Sequence, residues 1–270
     1  MRNIVKLVGH QRMIEGKHGP FVYNHHDHYV GMALELYGEY SEHEFELFKQ
    51  LLKPTDHVIE VGANIGSHTV PLGKYLSEGM VHAFEPQPVV FQNLCANLSI
   101  NSLENVLAWP YAVGAEHGSI VVPGIDYGRP GNFGAVSLKE EGDGFNVSLI
   151  PLDAYAHDFD VALIKADVEG MEKHVLDGGK RVIERCRPIL YLENDRVEKS
   201  KDLIEACWAL NYRLYWHIVR LYNPDNYFGN SDNIYQNTAA FNMLCIPKEL
   251  ESSVDGGTEI TDSTFHPVRR

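Results

Sequence analysis

The sequence predicts an α/β fold: a seven-stranded, mostly parallel sheet with helices on both faces, preceded by an N-terminal cap. Three observations predict it. Strand and helix patterns alternate from about residue 56 onward. The first strand runs directly into a glycine turn, Gly62-Ala63-Asn64-Ile65-Gly66. An acid, Glu85, ends the second strand 19 residues beyond Gly66.

The elements follow in order. His57 to Val61 is the first strand, and Ser67 to Leu76 a helix with Val70, Leu72 and Leu76 apolar. Met80 to Phe84 is the second strand. Pro88, suited to a first helical turn, opens a helix with Val90, Leu94 and Leu98 on one side. Val106 to Val113 is the third strand. Residues 114–150 are rich in turns, and short segments at Ser119 to Val122, Ala135 to Leu138 and Val147 to Ile150 predict a β excursion beside the active site. Val161 to Lys165 is a fourth, buried strand. The helix after it carries Met171, Val175, Val182 and Ile183, bent or loosened at Gly178-Gly179. Pro188 to Glu193 is the fifth strand and Val197 to Leu210 a helix. Tyr212 to His217 and Ala239 to Ile246 supply the last two strands. A final strand pair after the fifth helix fits a class I methyltransferase, Rossmann-like sheet better than a dinucleotide dehydrogenase. The expected divisions are a cap over 1–55, a nucleotide-binding domain over 56–250 and a flexible tail over 251–270.

Composition narrows the class. A hydrophobic fraction of 44% and a charged fraction of 22% are those of a globular chain. No run approaches the roughly 20 apolar residues that span a bilayer, so no membrane insertion is expected. Met1 to Lys17 lacks the apolar stretch of a signal peptide. Cys95, Cys186, Cys207 and Cys245 are scattered, without a C-x-x-C pair, which suits reduced thiols in the cytoplasm. With 23 basic and 37 acidic residues the formal charge is −14, a surface expected to repel a phosphate backbone. The densest basic cluster, Lys180, Arg181, Arg185 and Arg187, falls on a helix and its end, as a solvated face would. No nucleic-acid partner is therefore expected; an oligomer is left open.

The glycine turn carries the most chemistry. Glycines directly after a strand let backbone approach a ligand closely, because no Cβ intervenes. The spacing is G-x-N-x-G rather than the G-x-G-x-x-G that cradles a pyrophosphate. S-adenosylmethionine (SAM) has no pyrophosphate, and the ammonium of its amino-acid tail is one that Glu60 can balance. Glu85 stands where a carboxylate accepts hydrogen bonds from both ribose hydroxyls. Glu60, Gly62, Asn64, Gly66 and Glu85 are thus the candidate SAM-binding set. An ordinary βα turn with a loop carboxylate remains the alternative. So do two other functions, an NAD-dependent oxidoreductase and a non-catalytic SAM-binding module.

The residues also carry a resemblance. Val58 to Gly66 with His68-Thr69, Ala83-Phe84-Glu85-Pro86, Asn132-Phe133-Gly134, Ile150-Pro151-Leu152-Asp153, and Leu163 to Gly170 with Glu172 resemble the FkbM family of methyltransferases. Ala166 and Met171 depart from its usual residues. Flanking segments are similar to one branch of the family: Asp27-x-Tyr29-x-Gly31, Tyr37-Gly38-Glu39, Glu193-Asn194-Asp195, Trp216-His217 and Phe241 to Leu244. The resemblance implies SAM-dependent O-methylation of a hydroxyl on a sugar, glycan precursor or small polyhydroxylated metabolite. It adds Ala63, His68, Thr69 and Pro86 to the cofactor set, and Tyr37 is a further candidate from the cap.

Methyl transfer to a hydroxyl needs alignment and a base to take or share the proton. Asp167 after the fourth strand, Glu193 after the fifth and His217 after the sixth are the candidates. Asp167 is also placed to complement a helix dipole, and His217 to pack beside Trp216. Asn24-His25-His26-Asp27-His28 is the one stretch suggestive of a metal. Adjacent histidines seldom face one ion, and only His26 and His28 have strand-like i, i+2 spacing, so no metal is expected.

Overall fold

The computed structural model describes residues 4–251, 254 and 257–269. The ends of the expected cap and tail, 1–3 and 270, lie outside the described residues, as do 252, 253, 255 and 256.

Three strands, β1 (Ile4–Lys6), β2 (Gln11–Gly16) and β3 (Gly19–Asn24), form an antiparallel meander, followed by helices α1 (Val30–Tyr37) and α2 (Glu42–Leu51). The nucleotide-binding pattern begins at β4 (His57–Val61), α3 (Thr69–Tyr75), β5 (Met80–Phe84), α4 (Pro88–Ile100) and β6 (Val106–Trp109). Next come β7 (Ala112–Val113), β8 (Gly118–Pro123), β9 (Gly144–Ile150) and α5 (Leu152–Tyr155). The chain then continues through β10 (Leu163–Ala166), α6 (Glu172–Gly178), α7 (Lys180–Cys186), β11 (Ile189–Glu193) and α8 (Val197–Ala209). It closes with β12 (Tyr212–Arg220), β13 (Ala239–Pro247) and β14 (Thr258–Glu259).

The main sheet has the order β14-β12-β13-β11-β10-β4-β5-β6. Strands β10, β4, β5, β6 and β11 pair in parallel, while β13 runs antiparallel to both β11 and β12. β10 is buried along its whole length, as expected of a central parallel strand covered on both faces. This is the mixed, largely parallel sheet of class I methyltransferases, with eight strands rather than the expected seven. The extra one is β14, which pairs with Tyr215 and Trp216. It falls within the segment expected to be a flexible tail. Burial of Ile260 and His266 accounts for the order there, since each docks on the sheet instead of meeting water.

Two further differences have local causes. The expected third strand splits at Pro110, which has no N–H for the ladder: β6 stays in the main sheet and β7 joins a small one, β7-β9-β8. Ala135 to Leu138 forms no strand; only Lys139 beyond it bridges Val121. The helix after β10 breaks into α6 and α7 at Gly178-Gly179, and a Cβ on Gly178 would stand 2.0 Å from Gly114 O.

The first 55 residues share one core with the sheet. Phe21, Phe45 and Phe48 pack in the cluster that holds Val58, Val70 and Leu94. Buried Asn97 of α4 ties β3 down: Val22 N donates to its Oδ1 (2.6 Å) and its Nδ2 donates to Val22 O (3.0 Å). Among the described residues no helix is long and apolar enough to cross a membrane, and all four cysteines are unbridged.

Candidate cofactor and acceptor site

A cleft of about 300 Å³ opens at the C-terminal ends of β4, β5, β10 and β11, where ligands of open parallel sheets bind. Its first wall is the glycine turn. Gly62 has φ +84°, and a Cβ there would lie 1.9 Å from Asp167 O, so the turn passes β10 at a distance only glycine allows. Gly62 N and Ala63 N both donate to Phe84 O, at 2.9 and 3.0 Å. Asn64 sits in the left-handed region at φ 52° and donates its N–H to Glu85 Oε2 (2.9 Å).

Glu85 is buried in the cleft wall, its other oxygen accepting Gln87 N at 2.8 Å. Burial pushes its carboxyl up to about 7, against the two backbone donors that favour the charge. Each oxygen keeps lone-pair capacity toward the cleft, as a ribose acceptor requires. Glu60 also lines the cleft. It is buried, accepts Thr69 Oγ1 at 2.7 Å and faces Lys165 Nζ at 3.7 Å, so it is already partnered before any ammonium arrives.

Lys165 is the residue that sequence reasoning left without a role. Its ammonium is buried between Glu60 and Asp167, the latter at 3.4 Å. Burial opposes its charge, but Asp167, Glu60 and Glu44 more than offset that and raise its pKa. Glu44 of α2, also unforeseen, is buried and pushed up to about 7, chiefly by burial. The signal available was a lysine inside an otherwise apolar strand, which is rare without a buried partner.

Asp167, Glu169 and Glu193 bring carboxylate oxygens within 4.8 Å of one another, the cluster in the cleft that could hold a cation. Glu193 Oε2 is buried without a hydrogen-bond partner, and burial with the nearby Asp167 charge raises its pKa well above the usual range. Burial, then Asp167, pushes Glu169 up to about 8, although Arg196 pairs with it. Glu169 (φ 56°) and Gly170 (φ 94°) form a left-handed turn that Glu172 fastens, its Oε1 accepting Val168 N and Gly170 N at 3.1 Å each.

The other expected residues divide. Ala63 and His68 line the cleft with Ser67, and burial with the Lys165 charge pulls His68 down to about 3, leaving it neutral. Gly66, Thr69 and Pro86 do not line it; Gly66 instead lets the turn close on Leu94, 2.9 Å from its would-be Cβ. Tyr37 points away from the cleft. It is buried at the end of α1, donating to Asp232 O (2.7 Å) and accepting from Ile234 N (3.1 Å), while Tyr29 and Tyr40 reach the cleft instead. His217 is likewise outside it. β12 continues to Arg220, so His217 is mid-strand, bonded through Nδ1 to buried Tyr191 (2.8 Å). Asn132 and Gly134 line the cleft, held by Gln87 Nε2 donating to Phe133 O at 2.8 Å. Asp153 and Asp27 are structural: Asp153 accepts Val182 N (2.9 Å) at the start of α7, and Asp27 accepts Tyr29 N and Gly31 N (3.0 Å each) at the start of α1.

A family model, the methyltransferase FkbM domain, matches residues 60–214. The chain belongs to the FkbM methyltransferase family. SAM is accordingly the cofactor of this FkbM domain, and the NAD-dependent alternative is set aside. The cleft fits that donor. Gly62 to Asn64 leave room for close backbone approach, Glu85 keeps acceptor capacity in the wall, and the acid-rich lining, six carboxylates with Lys165 and Arg196, admits a cationic ligand.

Among curated proteins the FkbM chain is 40% identical over 50 residues to a tRNA(Phe) (4-demethylwyosine(37)-C(7)) aminocarboxypropyltransferase from Methanocaldococcus jannaschii. The match takes in 18% of this chain and spans only 20% of that relative. A methyltransferase FkbM from Methylobacillus flagellatus KT aligns with a TM-score of 0.48 at 16% identity, over 72% of this chain and 44% of that one. M. jannaschii TYW2 in complex with AdoMet aligns with a TM-score of 0.44 at 13% identity, over 90% and 88%. The expected absence of a nucleic-acid partner is corrected by the first of these, a relative named for its action on tRNA. The net charge sums over the whole chain and does not report which acceptor the cleft admits.

Proposed function

We propose that this methyltransferase methylates a hydroxyl oxygen, on a sugar, glycan precursor or small polyhydroxylated metabolite, with Asp167 as the base. The observation behind this reading is the placement of Asp167. Its side chain is 44% exposed at the cleft, and its carboxylate sits 3.4 Å from the buried Lys165 ammonium, which orients it. Bound SAM supplies a sulfonium-linked methyl carbon open to in-line displacement. Asp167 would take the hydroxyl proton as the acceptor oxygen displaces sulfur at that carbon. Glu193 faces the same space and serves as a positioning acceptor for a neighbouring hydroxyl. Tyr29 and Tyr40 line the same cleft and would pack against an acceptor.

An RNA acceptor is the second reading, favoured by the tRNA-modifying relative. Labelled SAM presented with sugars, nucleotide sugars and tRNA separates the two. Transfer to a sugar hydroxyl that is lost in Asp167→Asn supports the first reading; labelling of tRNA alone overturns it.

A further inference from the structure

We propose that His10, His25 and His26 form a binding site for a divalent transition metal of the zinc type, outside the methyl-transfer cleft. Nitrogens of the three rings lie within 4.8 Å of one another. A tetrahedral zinc with bonds of about 2.05 Å holds its ligand nitrogens about 3.3 Å apart, a gap that small side-chain rotations close. The His26 ring centroid stands 4.0 Å from that of His25 and 4.7 Å from that of His10. His26 Nδ1 is buried, and no hydrogen-bond partner among the described residues reaches it. A polar nitrogen kept from water without a partner is costly, and a metal bond would satisfy it.

The β2–β3 register creates the cluster. Gln11 pairs with Asn24, which sets His10, in the turn after β1, opposite His25; His25 N donates to His10 O at 3.0 Å. His28, which shares the strand-like i, i+2 spacing with His26, is exposed and outside the group. Three imidazoles suit zinc, nickel or copper rather than the hard cations that prefer oxygen. Asp126 is outside the group: its Oδ1 accepts Gly128 N at 3.0 Å and its Oδ2 pairs with Arg129 Nε at 3.0 Å. A water would complete a four-coordinate shell.

The position has a consequence for the cleft. His26 O accepts Gly131 N at 3.0 Å and His28 N donates to Gly131 O at 2.9 Å, so the histidine segment carries the loop that leads to Asn132 and Gly134. A metal there clamps the β2–β3 hairpin and steadies that loop against the cofactor wall.

The test uses the full chain without an affinity tag, stripped with chelator, titrated with zinc chloride by calorimetry and with Co2+ by absorption spectroscopy. One zinc per chain is expected, with the d–d spectrum of a tetrahedral, nitrogen-ligated cobalt. His10→Ala and His26→Ala should each weaken zinc at least tenfold while still binding SAM, which shows that they fold. His28→Ala and Asp167→Asn should keep wild-type zinc affinity. The proposal is overturned if the wild type takes up no zinc, if His10→Ala binds it unchanged, or if Asp167→Asn abolishes binding, which would place the ion in the acidic cleft.

Discussion

One wall of the cleft comes from a short stretch of chain, Glu60 to His68 with Glu85 on the adjacent strand. The opposite wall gathers Tyr29, Tyr40, Asn132, Glu193 and the Leu221 to Ala240 region from remote parts of the sequence. The first wall is backbone-dominated: close approach at Gly62 and N–H donors locked onto Phe84 O and Glu85. The second is side-chain-dominated, with carboxylates whose pKa values rise through burial and then through one another's charge. A wall fixed by backbone geometry suits a ligand shared across a family. One made of side chains on loops is free to vary with the acceptor.

Substitutions that act on one wall alone sharpen this contrast. The largest effect is expected from Asp167→Asn, which removes the base and should lower kcat by about 10²- to 10⁴-fold with SAM affinity near wild type. A parallel collapse of SAM affinity, read by calorimetry, would mean that Asp167 belongs to the cofactor wall. Gly62→Ala meets Asp167 O and strains a positive φ, and should cost roughly 3 kcal/mol of stability together with SAM binding. Thermal melts with and without SAM check this, and an unperturbed melting temperature would refute the close-approach argument. Glu85→Gln should weaken SAM by about 10- to 100-fold, the range for hydrogen bonds to a charged group. Unchanged affinity removes the ribose assignment.

A smaller effect separates the walls by pH. Burial raises the folded-state pKa of Glu85 from its ordinary 4.5 to about 7. The folded chain thus holds a proton that the unfolded chain releases near 4.5, and stability from this group is lost as pH rises through about 7. The melting temperature of the SAM-free protein should fall across that window, and less steeply in Glu85→Gln. An identical slope in the variant counts against a strained Glu85. The smallest effect belongs to His217→Ala, which should keep turnover within about twofold of wild type, since His217 packs on Tyr191 away from the cleft. Loss of turnover with the fold intact would return it to the list of bases.

The contrast also decides what the sequence revealed. Strand order and the glycine turn were legible because period, turn chemistry and the acid at Glu85 all sit within about thirty residues of one another. Lys165 was visible yet unread, because its partners Glu60 and Glu44 become neighbours only when β10 pairs with β4 and α2 packs beside them. Tyr37 and His217 were misplaced for the complementary reason. Helical phase turns Tyr37 toward Asp232, and three further residues of β12 move His217 off the strand end. His10 joined His25 and His26 through a hairpin register that no spacing rule encodes.

The clip made by His266, whose Nε2 donates to Asn194 O at 2.7 Å, bears on how the protein is made. Asn194 lies between Glu193 and Asp195, so this bond steadies the segment that carries both acids. Synthesis runs from N- to C-terminus, and every residue of the glycine-turn wall leaves the ribosome long before His266. The donor-binding residues are therefore synthesised first, and the acid edge, already paired with β10 and β13, receives its last tie when His266 emerges.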